Sequence, residues 1–124
     1  MSHDHTDRAP ILPVPSDLYV ELGELEDQIS EAQRQLRAIR NRYGHLAEDL
    51  DALDVDTLGK PTTPDREVLA VLDALDDTAY ELSDASLYLD RTRCHASRLK
   101  LTEPACEERE RQLAARNARP TRSC

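Results

Sequence analysis

A cysteine and a histidine stand side by side at Cys94 and His95, with Arg91, Arg93 and Arg98 close by. Such residues could do chemistry in two ways. A histidine can take a thiol's proton, and nearby cations favour the thiolate, the nucleophilic form of cysteine. Cysteine and histidine are also zinc ligands. The spacing argues against both. Adjacent side chains on a helix diverge by about 100°, so neither can comfortably share one ion with the other or act as its base. Helical zinc sites use i,i+3 or i,i+4 spacing, but four residues after Cys94 comes Arg98, and four after His95 comes Leu99. The other cysteines, Cys106 and Cys124, complete an odd set whose spacings match no disulfide or zinc framework. His3 and His5 form an H-x-H in the N-terminal tail, where solvent is the expected surrounding. The chain has no Gly-rich phosphate loop, G-x-S-x-G elbow, H-E-x-x-H or C-x-x-C. Its carboxylates fall on exposed helical faces beside arginines, with no concave site to tune one for acid–base work. The expectation is a non-enzymatic protein with no catalytic residue, no cofactor and no metal.

Composition narrows the scaffold. The chain has 124 residues, one domain by size, with 33% charged residues, a net charge of −9, no Phe, no Trp and three Gly. Apolar content that is almost all Leu, Ala, Val and Ile, amid abundant Glu, Asp and Arg, predicts an all-α fold of long amphipathic helices. The acidic balance makes nucleic acid and anionic membranes unfavourable partners. No apolar run approaches the ~18 residues that span a bilayer, and no signal peptide is visible, so a cytoplasmic location is expected.

Residues 1–15 read as a flexible Pro-containing tail whose Ile11, Leu12 and Val14 can dock on the helical part of the chain. Residues 16–118 read as a single helical domain and 119–124 as a basic C-terminal tail. Ser16 is the expected N-cap of the first helix, with acids at Asp17 and Glu21. Apolar residues then fall at Leu18, Leu22, Leu25, Ile29, Ala32, Leu36, Ile39, Tyr43, Leu46, Leu50 and Leu53, alternating by 4 and 3. So narrow a seam marks a coiled-coil helix. Gly59 and Pro61 interrupt it. Thr63 as N-cap and Pro64 at the first helical position begin a second seam: Val68, Leu72, Leu75, Ala79, Leu82, Ser86, Leu89, Arg93, Ala96 and Lys100.

The two seams fit each other as a long antiparallel coiled-coil helical hairpin, with arms at about 17–53 and 64–101. Pairing Leu50 with Val68 gives layers whose residue numbers all sum to 118, and every a position meets a d. Charge blocks agree. Arg34, Arg37, Arg40 and Arg42 lie opposite Asp76, Asp77, Glu81 and Asp84, and the acids from Glu21 to Glu31 lie opposite Arg91, Arg93 and Arg98. Glu26 beside Asp90 is the one like-charged neighbour pair. Arg93 and Lys100, polar intrusions in the seam, are expected to snorkel towards Glu21 and Glu24. Thr102 as cap and Pro104 in the first turn predict a short C-terminal helix at about 103–118, with Glu107 and Arg111 as an i,i+4 pair.

With Arg93 at position a, Cys94 falls in a b row with Tyr80, Leu87 and Leu101, flanked by Tyr88. That is more apolar surface than the seam of the second arm needs. Tyr80, Leu87, Tyr88, Cys94, Leu101 and Leu113 are therefore candidate protein-interaction residues. A bare two-helix hairpin buries little surface, so a protein partner or a second copy, most simply in a homodimer with a four-helix arrangement, is expected. The functional expectation is an interaction module: an adaptor, assembly factor or regulator. Two other readings stand beside it. The acids clustered towards the loop, Asp49, Asp51, Asp54, Asp56, Asp65, Asp73, Asp76 and Asp77, suit an acidic inhibitor or nucleic-acid mimic that binds a basic protein. Arg109, Arg111, Arg116 and Arg119, candidate anion contacts, suit a nucleic-acid-associated regulator.

Overall fold

The computed structural model describes residues 11–116, and among them every regular element is helical. Helix α1 runs Pro15–Ala47, a short 3-10 turn Leu50–Ala52, α2 Pro64–Ala96 and α3 Glu103–Ala115. The chain is an all-α helical hairpin with a short C-terminal helix. Most of the expected N-terminal tail, with His3 and His5, and the whole 119–124 tail lie outside the described residues.

The ends of the arms differ from the sequence reading. Helix α1 begins at Pro15, so Val14 holds the cap position and its carbonyl accepts from the Asp17 and Leu18 amides at 3.0 and 3.2 Å. Proline is suited to the first helical position, where its missing N–H costs nothing. The heptad continues to Leu53, but the helix stops at Ala47. There the chain tightens: the Glu48 and Asp49 amides donate to the His45 and Leu46 carbonyls three residues back, at 3.1 Å each. Helix α2 stops at Ala96, not 101, where the Ser97 hydroxyl donates to the Cys94 carbonyl at 2.8 Å. Helix α3 starts where expected, with the Thr102 hydroxyl accepting from the Ala105 amide at 3.3 Å.

The described chain forms two compact units. One holds residues 24–91, the later part of α1, the loop and most of α2. Here Arg40 on α1 makes a two-pronged bond to Asp76 on α2, Nε–Oδ1 2.6 Å and Nη2–Oδ2 3.1 Å. Both residues occupy e positions, which adjoin in an antiparallel pair, so the contact fits the expected register. Arg34, from the same basic block, turns to Glu31 on its own helix. Near the loop, Tyr43, Leu46, Leu53, Val55, Val68 and Val71 line one apolar hollow, and Val68 is buried.

Seam burial is uneven in this unit. On α2, Leu72, Leu75, Ala79, Leu82, Ser86 and Leu89 are all half-buried. On α1 the a positions Ile29, Leu36 and Tyr43 are half-buried, and so are the e positions Glu26, Gln33, Arg40 and Ala47. The d positions are not: Leu25 is 44%, Ile39 38% and Leu46 40% exposed. The d row of α1 is thus left more open than its a row.

The other unit holds the first turns of α1, the end of α2 from Thr92, and α3. Val14 is buried at 4% exposure, and the Leu12 carbonyl accepts from Arg109 Nε of α3 at 2.8 Å. Helix α3 presents the half-buried stripe Ala105, Cys106, Arg109, Gln112 and Leu113. The Arg93 guanidinium lies over the Tyr19 ring, 4.4 Å from its centroid, a cation–π contact that seam spacing does not reveal. It also lies against Gly23, where an added Cβ would meet Nη2 at 3.1 Å. Gly44 has open space.

These contacts set expectations for two kinds of variant. Gly44→Ala raises stability by about 0.5–1 kcal/mol through helix propensity, and Gly23→Ala gains less because the Arg93 guanidinium must shift; thermal melts check both. Asp76 is held below the ordinary carboxylate range by its hydrogen bond to Arg40 and by the charge of Arg40, with burial opposing. A carboxylate whose folded pKa is depressed contributes stability above its unfolded pKa of about 3.9, and that stability is lost as pH falls through the folded value. Asp76→Asn therefore flattens the stability-versus-pH curve below about pH 4, and high salt narrows the difference from wild type at neutral pH.

Candidate functional site

Cys94 and His95 sit in the last turn of α2, both exposed. Their neighbours are claimed elsewhere: Arg93 by the Tyr19 ring, Arg91 by the Tyr88 ring at 5.3 Å. The residues that looked like one constellation therefore point in separate directions. Among the described residues no group of three or more His, Cys, Asp or Glu side chains could hold a metal ion. The concavity at the start of α3 is lined by Lys100, Leu101, Thr102, Glu103, Cys106, Glu107 and Glu110. Of these only Leu101 and Cys106 are half-buried, and the charged groups stand in solvent.

The candidate interaction residues separate into two groups. Tyr80, Leu87 and Tyr88 lie on one outward face of α2 in the 24–91 unit, 74%, 56% and 62% exposed. They follow helical spacing: seven residues from Tyr80 to Leu87, with Tyr88 beside it. Arg91, one turn on, covers the Tyr88 ring. The polar neighbours of this face are acidic: Asp77, Glu81 and Asp84, all exposed. Cys94, Leu101 and Leu113 belong to the other unit. Cys94 is exposed on α2. Leu101 lies past the helix end, so the b row stops at Cys94, and Leu113 falls in the half-buried stripe of α3.

Two of the candidate anion contacts are engaged within the chain. Arg109 donates to the Leu12 carbonyl. Arg111 pairs with Glu108 at 2.6 Å, three residues back, instead of with Glu107 four back. Arg116 is the C-cap of α3, and Arg119 lies outside the described residues. The acidic cluster is also partly engaged. Asp76 holds Arg40, Asp54 accepts from the Val55 amide at 2.8 Å, and Asp56 accepts from the Leu58 amide at 3.2 Å. The Thr63 hydroxyl holds the Asp65 carboxylate below its ordinary range, aided by backbone amides.

Sequence spacing located the Tyr80–Leu87–Tyr88 face but not the half-exposed d row of α1, because a heptad pattern does not report how far a helix is rolled. No family model, curated protein or solved structure matches the chain.

If Cys94 and His95 are chemically independent, His95→Ala leaves the alkylation rate of Cys94 by iodoacetamide within about twofold of wild type between pH 6 and pH 8. A fall of tenfold or more would show that the imidazole assists the thiol.

Proposed function

We propose that this chain is a non-enzymatic protein-interaction module, an adaptor, assembly factor or regulator, which binds a protein partner through the outward face of α2. The carrying observation is that Tyr80, Leu87 and Tyr88 are each more than half exposed on that face. Tyrosine and arginine are enriched where interfaces concentrate their binding energy: the tyrosine ring offers large contact area at low entropic cost, and the guanidinium offers a planar fork of donors. Asp77, Glu81 and Asp84, interspersed among these side chains, favour a partner whose contact surface mixes apolar and basic residues, which charge attraction would steer to the face. Acidic mimicry is the reading in which the acids clustered towards the loop, Asp49, Asp51, Asp54, Asp56, Asp65, Asp73, Asp76 and Asp77, are themselves the ligand. A cytoplasmic location and self-association belong to the same proposal.

The test uses wild-type protein and a Tyr80→Ala/Leu87→Glu variant as parallel baits in an extract of the native host. Proteins retained by wild type and lost by the variant are then measured individually by titration. The expected outcome is one partner bound at least about 100-fold more weakly by the variant, a loss typical of interface centres, with binding that survives high salt. Equal retention by both baits refutes the α2 face. Binding that disappears in high salt but ignores the variant supports mimicry instead.

A further inference from the structure

The edge of the 24–91 unit opposite the Arg40–Asp76 bond carries two rows that nothing in the unit covers. One is the d row of α1, Leu25, Ala32, Ile39 and Leu46, all exposed. The other is the g row of α2, Val71, Thr78 and Ala85, of which Thr78 and Ala85 are exposed. In an antiparallel pair the e positions of both helices line one side and the g positions the other. Since Arg40 and Asp76 occupy the e side, the d and g rows flank the opposite side together. Neither row contains a charge; the g positions of α1 on the same side, Gln28, Gln35 and Arg42, border the strip with polar groups. The Thr78 hydroxyl already donates to the Ala74 carbonyl at 2.8 Å, so its outward surface is a methyl group. Glu31, the nearest acid on α1, is held back by Arg34 and Gln35.

We propose that a second copy of this chain covers this edge and closes a four-helix arrangement. Self-complementarity favours a second copy over an unrelated protein. The two rows stand at equal heights: Leu46 and Val71, Ile39 and Thr78, and Ala32 and Ala85 each sum to 117, within one of the register sum of 118. A twofold axis parallel to the helices keeps height unchanged and lays α1 of one protomer antiparallel on α2 of its partner. Leu46 then meets the partner's Val71, Ile39 the partner's Thr78, and Ala32 the partner's Ala85. Each contact occurs twice, as an isologous interface requires; Leu46 and Ile39 face smaller residues, and Ala32 faces an alanine. The apolar hollow bordered by Leu46 and Val71 lies at one end of this strip and is capped by the same contact. Area is sufficient. A stretch of about 35 Å on two helices some 10 Å apart offers on the order of 700 Å² per copy, close to the ~800 Å² per partner of stable interfaces. The α2 face carrying Leu87 stays outside the bundle, so the dimer is independent of it.

Size exclusion coupled to light scattering tests it on the full chain. Wild type is expected at twice the chain mass of 14.0 kDa. Ala32→Glu/Ala85→Glu, at two exposed helical positions, is expected at the single-chain mass with helicity retained by circular dichroism. Ala32→Glu/Ala85→Lys, which places opposite charges across the interface, restores the double mass. Leu87→Glu leaves the dimer intact while it abolishes partner capture, so failure of one proposal is distinguishable from failure of the other. A wild-type monomer overturns the inference, as does a dimer that persists in the double-Glu variant. A dimer lost through Leu87→Glu alone moves the interface to the outward face and also overturns it.

Discussion

Two helices lying side by side can cover only one stripe on each other, and the character of this chain comes from that limit. Among the described residues only Val14 and Val68 are buried. The seam leucines are half-buried at best, so they contribute a fraction of the 1.5–3 kcal/mol or so that full burial of such a side chain supplies. A seam this open tolerates polar residues. Ser86 sits in it without disruption, and Arg93 uses its stem as apolar filler and lays its guanidinium on Tyr19. In a closed core the same arginine would be costly without a buried counter-charge.

With so little area to bury, the cover each row receives is partial. The Arg40–Asp76 bond lies on the e side of the 24–91 unit, and the d row of α1 is more exposed than its a row. Uncovered apolar rows therefore appear in two places, the α1 and α2 edge and the Tyr80–Leu87–Tyr88 face. The proposed interaction role would have other protein surfaces cover them. A reactive centre needs groups held in fixed convergence by packing around them. Here the titratable groups stand in solvent on helix exteriors.

Much of this was legible residue by residue. Thr102 and Pro104 announced α3, Pro64 announced α2, and two alternating seams announced the hairpin. The opposed charge blocks pointed to Arg40 facing Asp76. What escaped was any outcome decided by competition between equal local choices. Arg34 had acids across the hairpin and Glu31 one turn away, and the near one won. Arg111 had Glu107 and Glu108, and paired with the latter. Heptad phase ran through Leu50 and Leu53 although the helix had already given way to three-residue turns.

By itself the sequence determined the helical class, the number of helices, the antiparallel register and the separation of Cys94 from His95, because each depends on periodicity and capping within a few turns. Tertiary structure alone decided which side of α1 stays uncovered, that Arg93 rests on Tyr19 beside Gly23, and that Arg109 joins α3 to the Leu12 carbonyl. These depend on how residues far apart in the chain meet. Which row of a helix is left open is decided by the neighbours it packs against, and the heptad pattern is the same either way.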